Sequence, residues 1–245
     1  MKPEIKVFPT PNDVARAFAQ MILEKSQQTD RFNIALSGGS TPKLLFDILA
    51  SDYKDKIEWN KIHFYWGDER CVPPGDPDSN YLMTKNHLFD HIDINEANIH
   101  RVFGEDNPDS EAKRYAQLLH EQIPASNELP QFDLIMLGLG EDGHTASIFP
   151  HQMELLDSDK VCEVAHHPVT GQQRISLTGK VINNAKEVAF LVTGEGKKEK
   201  VKSILEHAEG YQQFPAAHIQ PRSGQLTWWM DEAASNPGEN SESAS

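Results

Sequence analysis

A chain of 245 residues is long enough for one large α/β domain or two small ones, and it can build a core without disulfides or metal. Its formal charge of -14 argues against nucleic-acid or anionic-membrane partners, which need basic surface, but leaves room for a small anionic ligand held by a local cluster of amides and cations. Cys71 and Cys162 lie far apart with no C-x-x-C pattern, the segment MKPEIKVFPTPNDV lacks an apolar stretch of signal-peptide length, and the longest apolar runs are strand-sized. A soluble cytoplasmic protein is the expectation.

In chain order, Ile5 to Phe8 reads as a strand, and Thr10-Pro11 caps a helix running to about Lys25 with Val14, Ala17, Phe18, Met21 and Ile22 on one face. A strand at Phe32 to Leu36 ends in Ser37-Gly38-Gly39-Ser40-Thr41-Pro42, which opens a second helix. A third strand, Ile62 to Trp66, precedes a long loop, Gly67 to Asp78, and Ser79 or Asn80 caps a helix to about Phe89. A short strand is expected at Ile99 to Val102 and a helix at Pro108 to Gln122. The apolar run from Phe132 to Leu137 is of buried-strand type. Strands follow at Val161 to Ala165, Arg174 to Leu177, Glu187 to Val192 and Leu226 to Met230. A helical turn spans Thr178 to Asn184, a helix about Lys197 to His207, and a short terminal helix Asp231 to Ala234. Strands alternating with helices predict a single-domain, Rossmann-like fold over residues 1–234: a mostly parallel, doubly wound sheet with helices on both faces. The polar tail, 235–245, is expected to be disordered.

Three strand ends carry candidate chemistry. After Phe132 to Leu137 the chain breaks at Gly138, Gly140 and Gly143 and presents His144, and ligands of open parallel sheets sit at such carboxyl ends. Gly138 to Gly143 matches G-x-G-x-x-G literally. That fingerprint needs a long helix from its third glycine, whereas Pro150 follows within two turns and a proline inside a helix costs about 3 kcal/mol. His144 is a ready general base, and Asp142 could orient it or cap the turn. At the second strand end, Gly38 and Gly39 let backbone approach a ligand, while Ser40 and Thr41 begin a helix whose free N–H groups favour an anion; the spacing is not that of a Walker loop. At the third, Asp68, Glu69 and Arg70 offer carboxylates and a guanidinium fork. Arg174 at a strand start and Lys197 at a helix start are further anion-binding candidates, with Lys198 the competing lysine.

The other histidines read as structural. His166-His167 lacks a ligand set at metal spacing, Ser147 lacks a G-x-S-x-G context, and Trp228-Trp229 places one ring on each face of its strand.

The segments LSGGSTPKLL, FYWGDERCVPPGDPDSNY, FDLIMLGLGEDGHTASIFP and RISLT together resemble the 6-phosphogluconolactonases of the oxidative pentose phosphate pathway. The resemblance covers nearly the whole chain. It implies a Rossmann-like sheet related to glucosamine-6-phosphate deaminase, no metal or other cofactor, and hydrolysis of 6-phospho-D-glucono-1,5-lactone to 6-phosphogluconate by a monomer or weak homo-oligomer. The deaminase motif resembles H-I-A-F-N-E-P, with a glutamate that partners the histidine. Here His144-Thr-Ala-Ser-Ile-Phe149-Pro150 puts a phenylalanine at that glutamate, and phenylalanine cannot relay a proton. A non-catalytic sugar-phosphate sensor would keep the glycine loop but carry a basic DNA-binding extension and need not keep His144. The resulting expectation is direct water attack with His144 as base. Asp142 supports His144, Arg70 and Arg174 hold oxyanion or phosphate, and Asp68 holds Arg70 or a sugar hydroxyl. Gly38, Gly39, Ser40, Thr41 and Lys197 hold the phosphate.

Overall fold

Residues placed at helix starts by the sequence set those starts. In a computed structural model, which describes residues 2–235, β1 (Glu4–Phe8) leads into α1 (Pro11–Gln27). There the Thr10 hydroxyl accepts the Asp13 N–H at 3.2 Å and Pro11 takes the first turn. β2 (Phe32–Leu36) and α2 (Ser40–Asp52) follow, then β3 (Ile62–Trp66), β4 (Asp68–Arg70) and α3 (Asn80–His87), which Ser79 caps by accepting the Leu82 N–H at 3.1 Å. α4 (Pro108–Gln122) repeats the device with Asn107 and Pro108. A small hairpin, β5 (Ala125–Ser126) and β6 (Leu129–Pro130), precedes β7 (Leu134–Leu137). The remaining elements are β8 (Cys162–His166), β9 (Gln173–Leu177), α5 (Gly179–Ile182), β10 (Glu187–Val192), α6 (Lys198–Leu205) and β11 (Gln225–Asp231). From residue 236 onward the tail expected to be disordered lies outside the described residues.

β2, β7 and β10 are buried at every position, as continuous apolar runs should be in a sheet covered on both faces. They form the middle of a six-stranded, all-parallel sheet of order β1-β11-β10-β7-β2-β3. Alternate residues feed two cores. Ile34, Leu36, Met136, Leu191 and Trp229 pack with α1 and α2 on one face. Ala35, Ile135, Leu137, Phe190 and Trp228 pack with α4, α5 and α6 on the other, so the tandem tryptophans do point to opposite sides. The chain steps from β2 outward to β3, whereas from β7 it steps the other way to β10 and β11. The sheet therefore reverses direction between β2 and β7, where a crevice opens at the carboxyl ends.

Three expectations need correction. The Gly67–Asp78 loop contains β4, which pairs antiparallel with β9 in a second sheet of order β4-β9-β8. Thus the strands near 162 and 174 leave the parallel sheet, and β9 meets the backbone just after β3, where Leu177 N–H donates to Gly67 C=O at 2.8 Å. Ile99–Val102 makes a single bridge, Ile99 to Phe64, because the following backbone pairs with side chains: Val102 C=O accepts from Arg101 and Phe103 N–H donates to Glu111 at 2.8 Å. The terminal helix at Asp231–Ala234 is a turn, since the Asp231 carboxylate takes the Ala234 N–H at 2.9 Å.

Candidate functional site

The crevice between β2 and β7 is a cavity of about 240 Å³. Ser37, Gly38 and Gly39 wall it after β2, and Asn80 joins them from the start of α3. Gly138, Leu139, Gly140, His144 and Ala146 wall it after β7. Asp68 and Arg70 of β4, Arg174 of β9 and Lys197 before α6 complete it. His144 and the glycine cradle, more than a hundred residues apart in sequence, therefore face one space. A wider hollow of about 670 Å³ sits on α2 and α3, where Asp47 and His87 pair with each other at 2.6 Å and Asp90 pairs with Lys85.

The histidine loop is built by glycines. A side-chain carbon on Gly140 would overlap the imidazole Nδ1 of His144, and Gly140 N–H donates to His144 C=O at 2.9 Å. Gly143 turns the chain with φ 84°, a left-handed value that favours glycine. No long helix begins there; the next helical residues are a 3-10 run from Pro150 to Leu156. Asp142 performs both tasks open to it. One carboxylate oxygen accepts the His144 backbone N–H at 3.0 Å and meets His144 Nδ1 at 2.6 Å. Partial burial pushes the Asp142 carboxyl up, but the imidazole and backbone hydrogen bonds outweigh it and bring the group down to about 2. An ionised carboxylate can only accept, so Nδ1 carries the hydrogen and, in the neutral imidazole, Nε2 presents the lone pair. Beneath lies Phe149, fully buried, with its ring centroid 4.7 Å from that of His144 and 5.5 Å from the Arg174 guanidinium.

Arg70 and Arg174 stand directly opposite each other in the β4–β9 ladder. Like charges so placed repel. Arg70 is anchored by donating to Asp78 C=O at 2.8 Å, yet the Nε of both arginines is buried without an acceptor. Arg174 is held below the usual guanidinium range, first by burial and then by Arg70. Two cations with buried, unused Nε donors at one cavity wall make an arrangement suited to an anion. Asp68 faces the same cavity and accepts the Ser147 hydroxyl at 2.6 Å, so Ser147 is a buried brace.

Several expected residues sit elsewhere. Glu69 is buried under the start of α3, accepting the N–H groups of Arg70, Asn80 and Tyr81; burial raises its carboxyl, against the pull of those bonds. Ser40 is exposed and is not among the cavity walls, and the Thr41 hydroxyl meets that of Thr193 at 2.7 Å. Gly39, with φ 112°, precedes α2 and leaves its first N–H groups free of a side-chain cap. Of the two lysines, Lys197 reaches the cavity and Lys198 does not line it. His167 packs edge-on against Phe149, and among the described residues no group of three or more His, Cys, Asp or Glu side chains could hold a metal ion.

A family model described as glucosamine-6-phosphate isomerases/6-phosphogluconolactonase matches residues 9–228. The chain belongs to that family. It is 46% identical to a 6-phosphogluconolactonase of Haemophilus influenzae over 228 residues, covering 93% of this chain and 96% of the relative. Among solved structures it is similar to one titled devB protein, at 45% identity and a TM-score of 0.91, covering 94% and 97% of the two chains. A 6-phosphogluconolactonase of Trypanosoma brucei superposes with a TM-score of 0.84 at 30% identity, covering 95% and 97%.

Asn80 and Ala146 are among the cavity walls that sequence reasoning missed. Asn80 was assigned only a capping role, but its amide donates to Asp68 C=O at 3.0 Å and lies where a side chain on Gly38 would fall. Ala146 carries no functional group; its signal is the backbone, at φ 48°, a strained value for alanine.

Proposed function

We propose that this family member hydrolyses 6-phospho-D-glucono-1,5-lactone to 6-phosphogluconate, with His144 as general base. The observation carrying the reading is that an imidazole anchored by Asp142 at 2.6 Å shares a 240 Å³ cavity with a glycine cradle and three cations. A δ-lactone is an activated ester, so no covalent enzyme intermediate is needed. Water oxygen bonds to C1 as His144 Nε2 takes its proton. The C1 carbonyl becomes an oxyanion, the C1–ring oxygen bond breaks, and the proton passes to the departing ring oxygen.

The cations divide by their supports. Arg174 shares the Phe149 ring with His144, which supports assigning it to the reaction end as the group that stabilises the oxyanion. Lys197 follows closely after Thr193, whose hydroxyl meets Thr41 in the first turn of α2, which supports assigning it to the cradle end with the Gly38 and Gly39 backbone as the phosphate-docking cation. Arg70 bridges the two. Asp68 accepts a sugar hydroxyl on the oxygen that Ser147 leaves free. Binding the distant phosphate fixes C1 against Nε2, so the docking energy serves orientation.

The isomerase branch of the family is disfavoured by Phe149. A buried ring under the imidazole leaves no second carboxylate there for sugar-ring opening. The test is pH-stat acid release from freshly made phosphogluconolactone beside ammonia release from glucosamine 6-phosphate. Acid without ammonia is expected. His144→Ala should lower kcat by about 10²–10⁴-fold with KM little changed. Near-normal turnover by that variant rejects the general base.

A further inference from the structure

We infer that Asp231 and the Thr41–Thr193 hydroxyl pair are positioning residues that aim Lys197 at the phosphate. The inference rests on the lactonase reading above and concerns groups outside the cavity walls. Asp231 ends β11 and is 2% exposed. Its two carboxylate oxygens both lie within reach of the Gly194 N–H, at 2.9 and 3.2 Å, and one also takes the Ala234 N–H at 2.9 Å. Gly194 lies just past β10, where φ 93° reverses the chain. Its C=O accepts the Lys197 N–H at 3.1 Å, closing the single 3-10 turn that ends in Lys197. Both polar groups of Gly194 are thus engaged, one to the last strand and one to the lysine.

One residue earlier, Thr193 shares a 2.7 Å hydroxyl contact with Thr41 in the first turn of α2, next to Gly39. The start of the lysine loop is therefore pinned from two sides, by Thr193 to the anion cradle and by Gly194 to the strand beyond. A buried carboxylate that accepts only backbone N–H groups has no reaction to perform, but it fixes the backbone that carries a long, flexible cation. A pre-aimed Lys197 loses less conformational freedom on meeting phosphate. The relay acts on binding, and the chemistry at His144 proceeds without it.

The experiment compares Asp231→Asn, Lys197→Ala and the double variant on two substrates, the phosphorylated lactone and unphosphorylated glucono-1,5-lactone. Asp231→Asn is expected to raise KM for the phosphorylated lactone about tenfold with kcat within about twofold, to leave kcat/KM for the unphosphorylated lactone unchanged, and to add little to Lys197→Ala. Equal losses on both lactones, or full additivity with Lys197→Ala, overturn the inference. Should Asp231→Asn not fold, Thr193→Val carries the test; it is expected to raise the same KM about threefold, and no rise is a refutation. If the parent protein releases no acid from the phosphorylated lactone, the lactonase reading and this inference fail together. If the parent works and Lys197→Ala discriminates by phosphate while the positioning variants do not, only the inference fails.

Discussion

Replacing Arg174 with methionine should stabilise the free protein and cripple the reaction. Arg174 is 8% exposed, its Nε has no acceptor, and Arg70 stands opposite it in the ladder. An unsatisfied buried donor costs about 1–3 kcal/mol, and a directly opposed like charge adds about 0.5 kcal/mol. Against this, the guanidinium gains about 1 kcal/mol over the Phe149 ring, 5.5 Å away. Methionine keeps an unbranched apolar stem against that ring and removes both penalties. The balance is a gain of about 1 kcal/mol, or roughly 2–4 °C in Tm for a chain of this size.

The same change removes the donor assigned to the oxyanion, so kcat should fall about 10²–10³-fold while KM for the phosphorylated lactone moves far less. Denaturation of both proteins without ligand, together with pH-stat kinetics, reads both halves. 6-Phosphogluconate, whose C1 carboxylate would meet Arg174, should stabilise the parent more than the variant. A variant at least 1 kcal/mol less stable than the parent would refute the strain ascribed to the Arg70–Arg174 pair. Normal kcat would refute the assignment of Arg174 to the reacting end.

Two further outcomes follow from the histidine loop. Gly140→Ala puts a methyl where His144 Nδ1 lies, so circular dichroism should show a folded protein while kcat drops at least about 10²-fold from imidazole displacement. Asp142, held at about 2 from an ordinary 3.8, contributes stability that is complete above its unfolded value and is lost as pH falls through the folded one. At full weight this is about 2.5 kcal/mol; the side chain is 39% exposed, and screening reduces it to about 1 kcal/mol or less. Urea titrations should show that loss between about pH 4 and pH 2 in the parent and not in Asp142→Asn.

What could be read from the sequence was whatever a local pattern encodes. The strand ends at Leu36 and Leu137 are legible because an apolar run stops at glycine, and the helix start at Thr10-Pro11 because a cap and a proline adjoin. The second sheet was not legible as such. β4 has three residues, all charged, and only its pairing with β9, more than a hundred residues away, makes it a strand. Glu69 shows the same limit: a carboxylate between two cavity-facing residues reads as one of a set, yet strand alternation sends it to the opposite side, under α3. Asn80 and Asp231 act through backbone groups distant in sequence, and no spacing rule reports such contacts.

The -14 charge and the proposed anionic substrate are reconciled by which hydrogen-bonding groups are already occupied. Four carboxylates at and around the cleft have a donor close at hand: Asp142 has His144, Asp68 has Ser147, Glu69 has three backbone N–H groups, and Asp231 has Gly194 and Ala234. The cations are the reverse case. Arg70 and Arg174 keep buried Nε groups without acceptors, and the first turn of α2 has no side-chain cap. A ligand entering the cavity meets carboxylates that each hold a donor already, beside cationic and backbone donors still free, and at that short range local bonding outweighs charges more than a Debye length away. Net charge governs what the outer surface attracts; the free donors govern what the cleft retains. A phosphorylated lactone, acceptor-rich at both its phosphate and its carbonyl, matches that inventory at both ends.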